Sequence, residues 1–356
     1  MGVLRVAIVG HGLAGRVFHG PLIAATEGLS VATVMTSNAD RRASAAREYP
    51  HAVVVSSMAE LWEQPPHDLV VIAAPNAAHA QLAREAIDRG VPVVVDKPLA
   101  VTAADAEAVV EHAARAGVLL TVFQNRRWDS DHLTLMRLLA EDRLGAVLRY
   151  ESRFERWRPK AEPHEWRATS PEEGGGQLLD LGSHLVDQAL VLFGPVSHVY
   201  GEIAAVRGVP GDDDDFLALR HVSGVISHLR ASAITADPGP RLRVLGRSGA
   251  YIVQQLDSQE AELRAGRRPD QVDDWGREPE SHWGRLTRGE VSDVVPSERG
   301  DWPRFYALLS EALRSGGPPP VEPRDAVRTL RIIEAARKSA ATRTIVAIEN
   351  HSARTG

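Results

Sequence analysis

"LRVAIVGHGLAG", residues 4–15, runs a short apolar stretch straight into glycines at 10, 12 and 15, and "RVFHGPLIAA" (16–25) follows with the length of a helix. A strand, a G-x-G-x-x-G and a helix in that order let backbone N–H groups and the helix N-terminus meet a pyrophosphate. Gly10, Gly12, Leu13, Ala14 and Gly15 are the candidate contacts. The competing reading is an ordinary tight strand-to-helix turn. Further Val- and Ile-rich runs follow at Ser30–Met35, Leu69–Ala73, Val91–Val95 and Val118–Phe123, with Val53–Val55 as a shorter one. Alanine-rich, helix-length segments separate them. Buried runs alternating with helices predict a doubly wound α/β domain with a parallel sheet.

After Asn125 the texture changes. Tryptophans stand at 128, 157, 166, 275, 283 and 302, and "VLRYESRFERW" (147–157) and "LRVLGRSGAYIV" (242–253) alternate as antiparallel strands do. The expected division is 1–122 for the first domain and 123–356 for an α+β domain. "GDDDD" (211–215) reads as a solvated turn in preference to a metal loop. Residues 257–300, dense in Pro, Gly and charge, read as a long loop. "PRDAVRTLRIIEAARKSAA" (323–341) is an amphipathic helix, free to pack back near the first domain.

The 356 residues suit about two domains, each able to bury a core. Lys and Arg number 41 against 47 Asp and Glu, so the net charge of −6 offers no basic footprint for nucleic acid or an anionic membrane. With no cysteine, disulfides, thiolate nucleophiles and cysteine-bound metals are excluded. The opening "VLRVAIVG" is too short to span a bilayer and meets glycines in place of a cleavage site. The expectation is a cytoplasmic protein with a small-molecule partner.

An acid at the end of the second strand would hydrogen-bond the ribose 2′-hydroxyl of NAD. The strand ends "VMTSNADRR" (34–42): Thr36 and Ser37 occupy the place, and Arg41 and Arg42 follow as partners for a 2′-phosphate. NADP is therefore favoured over NAD, with Asp40 as the residue that keeps NAD open. "VVIAAPNAAH" (70–79) and "VPVVVDKPLA" (91–100) each put polar groups just past an apolar strand, where ligands sit in open α/β sheets. Lys97 needs a partner or a task there, the plain alternative being an ion pair beside Asp96.

"GGGQLLDLGSHLVD" (174–187) places three glycines before an apolar run that carries Asp180, His184 and Asp187. On a helix the three ionisable groups share a face, and the glycines allow close approach of another molecule. The alternative is a dipole-favoured helical turn with a histidine satisfied in the core.

These motifs resemble the glucose-fructose oxidoreductase and inositol dehydrogenase family (Gfo/Idh/MocA). The glycine fingerprint, "PNAAH" (75–79), "DKP" (96–98) and "GGGQLLDLGSHLVD" carry the resemblance. The family usually has Glu before the Lys-Pro, so Asp96 is a departure. "VFQNRRWDSDHLTL" (122–135) and "FERWRP" (154–159) further resemble its NADP-dependent scyllo-inositol dehydrogenase branch. The resemblance implies a Rossmann domain joined to a domain with a large, open, mostly antiparallel sheet, used for homodimer or homotetramer contacts. It implies that Lys97 bonds the reacting oxygen, and that Pro75, Asn76, His79, Asn125, Trp166 and Arg167 are cofactor-side contacts. Histidine titrates nearest neutrality, which makes His184 the general base, and Asp180 can orient a substrate hydroxyl.

The expected activity is hydride transfer between NADP(H), or NAD(H), and a polyol or sugar. Arg127, Trp157 and Arg158 join Lys97, Asp180 and His184 as substrate contacts, and Trp275, His282 and Trp283 offer further ring or hydrogen-bonding surface. Arg126 with Arg127 keeps a sugar acid as the runner-up. Other readings are a divalent ion on Asp180, His184 and Asp187, which a nearby lysine opposes, a dinucleotide-binding sensor without turnover, and transient oxidation in the service of elimination or hydrolysis.

Overall fold

Six parallel strands make the first sheet: β1 (Leu4–Val9), β2 (Leu29–Met35), β3 (Val53–Val55), β4 (Leu69–Ile72), β5 (Val93–Asp96) and β6 (Leu120–Phe123), in the order β3-β2-β1-β4-β5-β6. The computed structural model describes residues 2–162 and 166–348. Val6–Val9, Leu69–Ile72 and Val93–Val95 are wholly buried, as a sheet covered on both faces requires. The order reverses between β1 and β4, so the carboxyl ends of these strands open onto a crevice.

Local chemistry sets the helix ends. Asn38 accepts the N–H of Arg41 and starts Ala39–Glu48, and Thr102 accepts that of Asp105 to start Ala103–Ala116. Gly117, at φ 66°, ends the latter in the left-handed region. Each cap contributes about 1 kcal/mol.

The chain forms two compact units, which do not follow the order of the sequence. The first unit holds residues up to Trp128 but also Ser258–Gly276 and Asp301–Val327. The reason is aromatic burial: Trp275, Trp302, Phe305, Tyr306 and Leu309 join one core with Leu22, Ile23 and Phe123. Gln259 Oε1 accepts from the indole of Trp275 (3.1 Å) and the backbone N–H of Trp302 (2.8 Å). Trp275 is thus a core residue and not a ring-binding surface. Residues 257–300 are also not a plain loop, since they contain the helix Gln259–Arg264 and two strands.

The second unit is built on a nine-stranded sheet. Its strands are β7 (Val147–Glu155), β8 (Val196–Ala204), β9 (Asp214–His221), β10 (Ile226–Ser232), β11 (Leu242–Gly246), β12 (Ala250–Val253), β13 (Gly284–Arg288), β14 (Val291–Val295) and β15 (Val346–Ala347). The order is β14-β13-β12-β11-β7-β10-β9-β8-β15, antiparallel throughout except for β10 beside β7. β9 and β10 alternate buried and half-buried residues, so one face packs and the other is solvated. The amphipathic helix Pro323–Thr342 crosses β8 so closely that a Cβ on Gly201 would meet the Ala336 carbonyl at 2.6 Å.

The acidic run corrects a second expectation. Asp212, Asp213 and Asp215 are buried, and β9 begins within the run. Asp213 accepts the backbone N–H groups of Val206 and Arg207 and the Arg207 guanidinium. Asp212 accepts the N–H of Leu178 at 2.7 Å and pairs with Arg337 at 3.2 Å. The run is an internal clamp, tied to Val206 and Arg207 nearby and to Leu178 and Arg337 far along the chain.

Candidate functional site

In the first unit the glycine loop leaves β1 at its carboxyl end. Gly10 has φ 102°, and a Cβ there would meet the Ala73 carbonyl at 2.4 Å; at Gly15 it would meet the Gly10 carbonyl at 2.0 Å. Gly12 is different, since its nearest neighbour would be Arg41 Nη1 at 3.6 Å. Two glycines therefore close the turn and Gly12 leaves clearance above it, which fits a pyrophosphate cradle. Leu13 is exposed beside it, and Ala14–His19 winds as a wide π-type turn with Ala14 half-buried. Such turns concentrate at functional sites.

At the end of β2, Ser37 and Arg41 are exposed. Arg42 donates to the carbonyls of Ser37 (2.6 Å) and Thr36 (3.4 Å), so part of its guanidinium braces the loop. Arg41, beside Gly12, is the better-placed cation for a 2′-phosphate.

Pro75 is exposed and Asn76 half-buried just after β4, at the same sheet edge as the glycine loop. His79 is held by the chain itself. Its ring is fully buried, with Nδ1 2.7 Å from the Pro98 carbonyl and Nε2 2.8 Å from that of Ala74. It ties the loop after β4 to the one after β5. Lys97 is half-buried directly beyond β5. Asn125 is buried in the turn that follows β6. Arg126 pairs with Glu260 and Arg127 with Asp325 (2.9 Å), so their charges are met within the unit and the cluster offered for an acidic substrate is neutralised.

In the second unit, Trp157 is 58% exposed and Arg158 is exposed next to it. His282 and Trp283 both bond Glu278, the histidine to its carboxylate at 3.0 Å and the indole to its carbonyl at 3.1 Å. Arg167 donates from Nε to Asp180 Oδ2 at 2.6 Å and lies 4.5 Å over the Trp166 ring. Asp180, His184 and Asp187 are all buried, on a π-wound turn (Leu178–Gly182) that passes into the helix Ser183–Phe193. The ring of His184 meets that of Phe154 edge-on at 6.5 Å. Among the described residues no three His, Asp or Glu side chains converge as a metal ion requires.

The three glycines have an internal explanation. Gly174 and Gly176 take φ 85° and 92°. A Cβ on Gly175 would meet the Thr169 carbonyl at 2.1 Å, and one on Gly176 would meet the Asp212 carboxylate at 2.3 Å. The clearance at 175 and 176 is filled by the chain itself and not by a ligand ring.

Sequence reasoning missed two groups that support the site. His11, inside the fingerprint, is buried 3.4 Å from Glu48, and burial first of all lowers its pKa. His19 stands between Tyr306 and Asp96. The available signal was a histidine within or just after a glycine motif.

Residues 4–124 match the model of an oxidoreductase family's NAD-binding Rossmann fold (GFO_IDH_MocA), and 136–348 match its C-terminal alpha/beta domain. The chain is 34% identical over 353 residues to the scyllo-inositol 2-dehydrogenase (NADP+) of Bacillus subtilis, covering 98% of this chain and 96% of that protein. It is 38% identical over 345 residues to an uncharacterized oxidoreductase of Escherichia coli, with 95% and 96% covered. A solved structure from Yersinia pestis superposes with a TM-score of 0.91 at 36% identity, covering 99% of each chain. Among the described residues no helix is long and apolar enough to cross a membrane. By its two matched domains and its full-length relatives, the chain belongs to the Gfo/Idh/MocA family of dehydrogenases and reductases.

Proposed function

We propose that this oxidoreductase moves a hydride between NADP(H) and a secondary alcohol or ketone of a neutral polyhydroxylated ring, an inositol or inosose first and an aldose or ketosugar next. The observation that carries this reading is Lys97, half-buried directly past β5 on the sheet edge that also carries the glycine loop. That edge is where parallel α/β sheets hold dinucleotides. NADP is favoured over NAD because Ser37 and Arg41 are exposed at the end of β2 and no acid stands on the strand end itself. The name of the Bacillus subtilis relative supports both cofactor and substrate class.

Gly10, Gly12 and Gly15 would hold the pyrophosphate, with Ser37 and Arg41 at the adenosine end. The nicotinamide supplies hydride acceptance or donation. Lys97 stabilises negative charge on the reacting oxygen. His184 takes that oxygen's proton in oxidation and returns it in reduction. Asp180, fixed by Arg167, orients a hydroxyl of the ring. The ion-paired state of Arg126 and Arg127 favours a neutral ring over a sugar acid. The lack of cysteine suits a cytoplasmic enzyme, and the solvated face of the second sheet suits a homodimer or homotetramer.

The test is a panel of inositols, inososes, neutral sugars and sugar acids, assayed with NADP(H) and NAD(H) in both directions. Turnover on neutral rings is expected, and His184→Ala or Lys97→Ala should lower kcat by about two to four orders of magnitude while cofactor binding survives. Cofactor binding with no turnover on any ring would leave a sensor. Turnover confined to acids or apolar ketones would reject the polyol.

A further inference from the structure

A line of three side chains in the first unit ends at the residue before Lys97. Tyr306 Oη lies 2.6 Å from His19 Nδ1, His19 Nε2 lies 3.6 Å from Asp96 Oδ1, and that same oxygen accepts the backbone N–H of Lys97 at 3.0 Å. Tyr306 and His19 are completely buried, and Phe123 tilts over the imidazole at 4.4 Å between ring centres. Nε2 carries a hydrogen towards the carboxylate, since a bare nitrogen there would set an acceptor against an acceptor. Aspartate here is a methylene shorter than the glutamate this motif resembles, and His19 closes on it from behind.

We propose that His19, fixed by Tyr306, is a positioning residue of the reaction: it orients the Asp96 carboxylate that anchors the Lys97 backbone and faces its charge, and so sets where Lys97 meets the reacting oxygen. This rests on the role given to Lys97 above. Burial pushes the Asp96 carboxyl up, but His19, then Lys97 and His79, outweigh it and hold it below the usual carboxylate range. The charged and titratable groups facing Asp96 are therefore His19 from the turn after β1, backed by Tyr306, Lys97 from its own segment, and His79 from the helix after β4. Misplacing a catalytic group by about 1 Å costs up to about 100-fold in rate.

Tyr306→Phe removes one oxygen and His19→Phe removes both ring nitrogens, whereas His19→Gln keeps a donor near Nε2. With the best substrate of the panel, kcat should fall about tenfold in both phenylalanine variants while NADP+ affinity, read by fluorescence, stays at the wild-type value. The acid limb of the kcat profile should move to higher pH, because Asp96 loses His19 in His19→Phe and the ring facing it is no longer fixed in Tyr306→Phe, and His19→Gln should recover part of both effects. The proposal is overturned if the acid limb stays in place in Tyr306→Phe and His19→Phe, whatever happens to kcat. Should His19→Phe fail to fold, Tyr306→Phe decides alone, since it preserves the packing. Lys97→Ala runs alongside: full turnover there rejects the role of Lys97 and this proposal with it, whereas loss there beside an unmoved His19 profile rejects only the positioning.

Discussion

Arg167 holds Asp180: its Nε donates to Oδ2 at 2.6 Å while the guanidinium rests over Trp166. The carboxylate is buried, so the bond orients it without the competition that water would bring. Arg167→Ala should leave NADP+ affinity nearly intact and lower kcat/KM about 10-fold, the cost of one charge-assisted bond that orients the carboxylate. Arg167→Lys should not restore it, because a point charge cannot both bond Oδ2 and stack on the indole. Steady-state kinetics with direct cofactor titration checks this. A loss confined to cofactor binding would return Arg167 to a cofactor contact.

The two arginines after β2 should separate. Arg41 stands beside Gly12, whereas Arg42 braces the carbonyls of Thr36 and Ser37. Arg41→Ala is expected to weaken NADPH by about 10- to 100-fold and NADH hardly at all, since only NADPH has the extra phosphate. Arg42→Ala should weaken both cofactors, because the loop itself loses its brace. Calorimetric titration of both cofactors into both variants measures it, and equal losses in Arg41→Ala would count against the NADP assignment.

The first sheet was legible because buried parallel strands announce themselves as apolar runs, and Leu4–Val9 followed by three glycines specifies strand, turn and helix within a few residues. What was not legible depended on distant partners. "GDDDD" reads as a solvated turn until Arg207, Arg337 and the N–H of Leu178 are brought to it by the fold. That both nitrogens of His79 would lie on backbone carbonyls could not be read from its place in the motif. Trp275, Trp302 and Tyr306 lie between segments of the second unit in sequence yet fill the first unit's core, and no local periodicity says which core an amphipathic helix will choose. Asp180, His184 and Asp187 were found by spacing, but the π-wound turn beneath them has no such signature.

The nine-stranded sheet has a solvated face with charged rows such as Arg243 and Arg153 on Glu151, and Arg230 on Glu155 and Asp214. A broad sheet of this kind is expected to be covered by a second copy. Sedimentation velocity at micromolar concentration should show a dimer or tetramer. A monomer at every salt concentration would refute the assembly.

Asp215 makes stability depend on pH with a definite sign. Burial, and then the neighbouring Asp212, push its carboxyl well above the usual range, although Arg337 opposes them. The folded second unit therefore holds this proton to higher pH than the unfolded chain does. Where the native state binds more protons than the unfolded state, stability is fully present below the unfolded value of about 3.9 and falls as pH rises towards the folded one. Asp215→Asn keeps the shape and carries no proton to lose, so its stability should vary less with pH and exceed that of wild type at the alkaline end. Thermal unfolding followed by circular dichroism at pH 5, 6.5 and 8 reads this directly. The expected result is a wild-type midpoint that falls across the series and a flatter one for Asp215→Asn, whereas parallel slopes would place the protonated carboxyl elsewhere in the unit.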